Sequence, residues 1–136
     1  QISGGSRTTV GGYEDSKLKE NSAQFELKDH RTLDEIIAWL IETGHVPSFC
    51  TACYRAGRTG DRFMELCTNK QILNCCHPNA LLTLKEYLLD YGSSHTKEIG
   101  EALIAKELIT IPNSKIQELV TSQLGKITQG ERDFRI

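Results

Sequence analysis

Cys50 and Cys53, separated by two residues, are followed after a further twenty-two residues by Cys76. Thiolates are soft ligands, and a Cys-x2-Cys pair joined by a later cysteine is a spacing that serves iron–sulfur clusters and zinc alike. From spacing alone the two stand level. A cubane has four iron corners, so three cysteines leave one corner without a protein thiolate, free for a substrate, a small molecule or another metal. Cys67, Cys75 and His77 lie in the same stretch and keep a fourth protein ligand open. Cys75 and Cys76 are neighbours whose side chains are expected to diverge, so only one of them should meet a given metal. Cys67 follows Phe63, Met64 and Leu66 and reads as a small buried hydrophobe on a short helix.

Other cysteine chemistries fit less well. Val46-Pro47-Ser48-Phe49 leads into the pair without the strand–helix context of a thioredoxin-like redox motif. Five cysteines is an odd number, and no secretory signal accompanies them, which argues against a disulfide framework. No Cys/His or Ser/His/Asp spacing suits nucleophilic catalysis, and no catalytic residue is assigned in this chain. His77 suits hydrogen bonding or capping better than ligation, and His30, His45 and His95 read as turn or cap residues. Gly57 and Gly60 either turn backbone N–H groups toward an anionic object or simply make the turn into the next helix.

The residues around the thiols narrow the choice. Cys50-Thr51-Ala52-Cys53-Tyr54-Arg55 runs into Gly57-Arg58-Thr59-Gly60-Asp61-Arg62-Phe63-Met64, and Cys76 leads into His77-Pro78-Asn79-Ala80-Leu81-Leu82-Thr83. Ser3-Gly4-Gly5-Ser6-Arg7-Thr8 and Gly130-Glu131-Arg132-Asp133 extend the pattern to both ends. Together these segments resemble the HydG family, the radical-SAM tyrosine lyases that mature the active-site cluster of [FeFe]-hydrogenase. The resemblance implies that Cys50, Cys53 and Cys76 hold an auxiliary 4Fe-4S cluster with an additional dangler iron. Cys76 is chosen over Cys75 because it gives the family spacing and precedes the family's x-Pro-Asn-Ala segment.

For the parent enzyme the resemblance implies cleavage of tyrosine at Cα–Cβ by a radical from S-adenosyl-L-methionine (SAM), with p-cresol and a dehydroglycine fragment as products. That fragment yields the carbon monoxide and cyanide of an Fe(CO)2(CN) unit. The implied partners are the remainder of the radical-SAM barrel, tyrosine and its dehydroglycine fragment, and other hydrogenase maturation proteins. The Cys-x3-Cys-x2-Cys motif that binds the SAM-cleaving cluster is absent from these 136 residues. The chain, which begins at Gln1, is therefore expected to be a C-terminal piece that is inactive alone, with SAM and a second 4Fe-4S cluster belonging to the missing barrel. Arg7 suits an amino-acid carboxylate, because its guanidinium fork matches one and barrel enzymes bind substrate at strand ends. The resemblance adds Ser3 and Ser6 as hydrogen-bonding neighbours; without it, Arg7 is a surface arginine near a terminus. The competing class is a zinc-stabilised structural or protein-interaction module without catalysis of its own.

Composition bounds the rest. A net charge of −2 offers no basic footprint for nucleic acid, and no apolar run approaches the roughly 20 residues a bilayer span needs. Cytoplasm is the default location for cysteine-rich chains of this kind.

Several elements must position the thiols. The expected fold is mainly α, a small helical auxiliary-cluster domain over residues 29–136, with residues 1–28 as linker and the last strand of a (β/α) radical-SAM barrel. Residues 9–21 read as a loop and 23–27 as a short strand. A helix opens at the N-cap Thr32, with Glu35 completing a capping box, and stops at Gly44. Leu33, Ile36, Ile37, Leu40 and Ile41 form its buried stripe, and Trp39 lies at a domain edge. An extended stretch then carries the cysteines on a loop, where Tyr54 and Arg55 orient the cluster or pack the loop. Helices follow over residues 61–68, 78–91, 96–108 and 114–127, the second of these four having Leu81, Leu84, Leu88 and Tyr91 at helical intervals and the last capped by Asn113 or Ser114.

Overall fold

The computed structural model describes residues 31–136. Ser3, Ser6, Arg7, His30, the loop over 9–21, the strands expected over 1–8 and 23–27 and the boundary at 28–29 lie outside the described residues. One compact unit runs from Asp34 to Ile136. Its helices are α1 (Leu33–Glu42), α2 (Ala52–Arg55), α3 (Asp61–Thr68), α4 (Cys76–Asp90), α5 (Ser94–Leu108) and α6 (Ser114–Thr128), with a 3-10 turn at Gln71–Leu73 before α4. No strand occurs among the described residues, and the mainly α class holds.

Helix α4 is the hub, packed against both α5 and α6. Its Leu81, Leu82, Leu84 and Leu88 are wholly buried, and they meet Ile37 and Ile41 of α1, Leu103 and Ile104 of α5, and Val120 and Ile127 of α6. Each such side chain contributes about 1.5–3 kcal/mol by leaving water. The helix begins two residues earlier than its apolar periodicity indicates, so Pro78 falls at the third helical position, where its missing N–H is one of those that no carbonyl would have met. Helix α5 also starts two residues early, because the Ser93 hydroxyl accepts the Thr96 N–H and caps it. Asn113 caps α6 in the same way, through the N–H groups of Lys115 and Ile116.

Glycine 44 stops α1 as its sequence indicates. At φ +80° it lets its own N–H reach the Ile41 carbonyl (2.9 Å) while the His45 N–H reaches that of Leu40 (2.9 Å), the double closure of a left-handed helix end. Ile36, Ile37 and Ile41 are buried and Leu40 half-buried, but Leu33 is 54% exposed at the first turn, and Ala38 joins the buried face instead. Trp39 stands at the edge, 45% exposed. Tyr91, expected on the apolar face of α4, follows the helix end and is 77% exposed. Helix α3 forms where expected yet has no buried residue.

Asp34 ties the N-terminus of α1 to the start of α5. Its carboxylate accepts from the Thr96 hydroxyl (2.8 Å), the Tyr87 hydroxyl (3.2 Å) and the Ser93 N–H (3.4 Å). Burial works to raise its pKa, but the hydrogen bonds from Ser93, Thr96 and Tyr87 outweigh burial and hold it below the ordinary 3.8. Burial and the facing Asp34 push Tyr87 up to about 12. A carboxyl whose folded pKa is depressed contributes stability in full above its unfolded value and loses it as pH falls through the folded one. Asp34→Asn should therefore lower stability at neutral pH by an amount that shrinks as the medium drops below the ordinary 3.8. Urea unfolding of both proteins across that range measures it, and a difference that stays constant into strong acid contradicts the network's role.

Candidate metal centre

Two supports converge on the cysteines. The chain from α1 arrives at Phe49, whose N–H donates to the Thr83 hydroxyl on α4 (3.3 Å) and whose ring stacks on Tyr87 at 5.1 Å. Cys50 follows directly, its N–H on the Ser48 hydroxyl (3.3 Å). The stretch is not the plain loop its sequence indicates. Cys53 lies on the single helical turn α2, Cys75 occupies the N-cap of α4, and Cys76 is that helix's first residue.

All five cysteines are unpaired and half-buried. Cys75 Sγ lies 3.8 Å from Cys76 Sγ, so these neighbours converge where divergence was expected. The reason is local backbone geometry. Cys75 adopts φ −132°, ψ −55°, outside both helix and strand, and the break in direction at the cap brings consecutive side chains to one side. Cys75 Sγ also faces the Gln71 carbonyl at 3.5 Å. Burial pushes the Cys76 thiol up to about 12, reinforced first by Cys75 and then by Cys53, so Cys53, Cys75 and Cys76 share one neighbourhood. Without a metal, Cys76 holds its proton at neutral pH.

The donor set fits a thiolate-ligated metal group in type, three soft sulfurs from Cys50 before α2, Cys53 on it and Cys76 at the start of α4. It is not preassembled. Among the described residues no three His, Cys, Asp or Glu side chains are arranged to hold a metal ion. Cys50 precedes α2 and lies on the wall of a cavity of about 650 Å3 shared with Phe49, Arg55, Thr83, Glu86 and Phe134. Cys67, placed on α3, is half-buried rather than a core residue.

The remaining candidates find other work. His77 Nε2 lies 3.3 Å from the Glu107 carbonyl and 3.2 Å from the Thr110 hydroxyl, joining α4 to the end of α5 as a hydrogen-bonding residue. His45 Nδ1 meets the Thr43 hydroxyl (3.2 Å) beyond α1, and His95 Nε2 meets Glu42 (3.0 Å). The Gly57 N–H donates to the Tyr54 carbonyl (3.1 Å) and the Arg58 N–H to that of Cys53 (2.9 Å), while the Gly60 carbonyl opens α3. These glycines, both at positive φ, make the ordinary turn of the two readings. Tyr54 is 79% exposed and packs on nothing extensive in this unit.

Sequence reading missed the wall opposite Cys50. Asn79, 3% exposed, donates through Nδ2 to the carbonyl of Ile136 (3.2 Å) and accepts the Ile136 N–H on Oδ1 (2.8 Å). Glu86 accepts the Asp133 N–H (2.9 Å), and Arg132 grips Asp90 with two nitrogens (2.6 and 3.0 Å). Residues 131–136 are thereby strapped along α4. An asparagine inside an apolar helical run is the one sequence signal that pointed to such a contact.

No helix among the described residues is long and apolar enough to cross a membrane. No protein-family model and no curated protein matches the chain. Among solved structures it is similar to a crystal structure of HydG, described as a maturase of the [FeFe]-hydrogenase, at 50% sequence identity and a TM-score of 0.74. The match covers 86% of this chain and 26% of that one, so the chain spans about a quarter of the structure it resembles. Over those residues the chain is HydG-like in both sequence and fold, and the resemblance carried by the segments around Cys50, Cys53 and Cys76 holds.

Proposed function

We propose that this chain supplies the auxiliary-cluster region of a radical-SAM tyrosine lyase. Carbon monoxide and cyanide made from tyrosine by that lyase are assembled into an Fe(CO)2(CN) unit for [FeFe]-hydrogenase. The observation that carries the reading is the 50% identity to HydG in a chain holding the whole Cys50, Cys53 and Cys76 set. A 4Fe-4S cluster bound by three thiolates supplies one iron corner open to an additional iron and to exogenous ligands.

The chain's own residues divide the labour. Cys50, Cys53 and Cys76 would hold the auxiliary cluster, with Cys76 fixed at the first turn of α4 and Cys53 on α2. Thr83 and Tyr87 hold Phe49 and so set where Cys50 enters. SAM, the second 4Fe-4S cluster and the tyrosine site belong to the barrel, and the complete enzyme works in the cytoplasm alongside other hydrogenase maturation proteins.

Anaerobic reconstitution tests the open corner. Cyanide or free cysteine added to the reconstituted protein should change the paramagnetic resonance spectrum of the cluster. An unchanged spectrum would mean that a fourth protein ligand closes it. Arg7, with Ser3 and Ser6 beside it, is assigned to the substrate carboxylate. In the complete enzyme Arg7→Ala should weaken tyrosine binding by about 1.5–3 kcal/mol, the range for hydrogen bonds to charged groups. Unaltered tyrosine affinity would remove Arg7 from the site.

A further inference from the structure

Residues 131–136 stand across a cavity from Cys50. Cys50 and Arg55 line it from the α2 side, Thr83 and Glu86 from α4, and Phe134 and Arg135 from the strap, around a volume of about 650 Å3. Spaces of that size hold small molecules. The strap is seated lightly. Its Phe134 packs against the core and lies under the Lys126 ammonium at 5.8 Å, but Glu131, Asp133, Arg135 and Ile136 are exposed. Polar ties supply the rest: the Asp133 N–H on Glu86 (2.9 Å), the Ile136 main chain on Asn79 (2.8 and 3.2 Å), and Arg132 on Asp90 (2.6 Å) and the Ile127 carbonyl (2.9 Å). Segments with few buried apolar contacts and exposed hydrogen bonds are the first to open. The strap begins at Gly130, whose φ of +105° is natural to glycine and whose place beyond α6 can absorb a change of direction.

We propose that residues 131–136 are a movable cover that lifts about Gly130 and opens the cavity beside Cys50. The two sides of that cavity are fastened to α4 by separate residues. Thr83 and Tyr87 hold Phe49 and with it the Cys50 side, whereas Asn79, Glu86 and Asp90 hold the strap. One side can therefore move while the other stays. Lifting carries Phe134 and Arg135 away from the cavity and leaves Cys50 anchored where it is. Arg132 and Ile136, which fasten the strap, do not themselves line the cavity, so the latch is distinct from the space it covers. What the opening admits rests on the proposed function: the iron or small exogenous ligand that completes the open corner of a cluster held by Cys50. The motion itself does not rest on it.

Iodoacetamide alkylation of the reduced, metal-free 136-residue chain tests it, with the rate at each cysteine read by mass spectrometry. In the double variant Arg132→Ala, Ile136→Pro, Cys50 should react about tenfold faster, because losing two or three hydrogen bonds, each worth a few-fold in an equilibrium, shifts the opening by that order. Ile136→Val keeps the N–H that Asn79 accepts and should leave the Cys50 rate unchanged. Cys76, at the start of α4, should keep its rate in every variant, which separates lifting of the strap from loosening of the whole unit. Circular dichroism confirms that the helices persist. A Cys50 rate that does not change in the double variant, or a Cys76 rate that rises with it, overturns the cover. The readout needs no metal, so a chain that alkylates as expected but takes up no iron–sulfur cluster upholds the cover and overturns the proposed function instead.

Discussion

Replacing Cys76 by alanine should empty the iron–sulfur site, with iron and sulfide per chain falling to background after anaerobic reconstitution. Cys50→Ala and Cys53→Ala should do the same, and Cys67→Ala should keep the full complement. The expectation follows from ligand count: a cluster that already leaves one iron without a protein thiolate has no thiolate to spare. Cys76 has the firmest seat of the three, since its backbone is locked into the first turn of α4 and the following Pro78 and Asn79 are buried. Its raised pKa means that loading must displace a proton, so uptake should be slower in mildly acidic buffer. Normal cluster content in Cys76→Ala, with loss in Cys75→Ala, would reverse the choice between the two neighbours.

The second large effect lies in the core. A Cβ built on Gly100 would stand 2.5 and 2.7 Å from the terminal methyl carbons of Leu88 and 3.2 Å from its Cγ, and Leu88 is wholly buried. Gly100→Ala should therefore destabilise by about 1–3 kcal/mol through overpacking. The gain in helix propensity, roughly 0.5–1 kcal/mol, is too small to reverse the sign. Leu88→Ala should cost about 2–5 kcal/mol by leaving a void between α4 and α5. The double variant should lose less than the sum, because the alanine methyl at 100 enters the space that Leu88 vacates, and such couplings run to about 0.5–3 kcal/mol. Urea unfolding of the four proteins closes the cycle. Strict additivity would mean that the two helices separate instead of interlocking.

What could be read from sequence was whatever repeats with the helical period or terminates it by local chemistry. Helix α1 was legible because Gly44 ends it, and α6 because Asn113 begins it. The first turns of α4 and α5 were not. Cys76 and His77 add nothing to an apolar stripe, and Ser93, which follows Gly92, looks like the end of one helix rather than the cap of the next. Tyr91 kept the period after the helix itself had stopped. The thiols were legible by type and spacing, and their flanking residues by resemblance. The closeness of Cys75 to Cys76 was not, since it depends on one residue's φ and ψ at a cap. Nor was the exposure of α3, because amphipathic pattern states which face is apolar without stating whether anything covers it.

The strap over α4 carries a lesson about where its path is encoded. Asn79 and Glu86 hold residues 131–136 by main-chain groups alone, the N–H of Asp133 and the N–H and carbonyl of Ile136. At those two positions the groove reads backbone, whereas Arg132, just before them, is read through its guanidinium, which pairs with Asp90. The itinerary of this segment is written in part on the helix beneath it, so Ile136 is free to drift in type while Asn79 and Glu86 are not, and Asp133, at φ +66°, is confined to residues that tolerate a left-handed backbone. Proline is the exception: at either position it deletes the very N–H that the groove reads. A short stretch of backbone next to Cys50 is thus addressed like a peptide ligand that happens to be covalently attached.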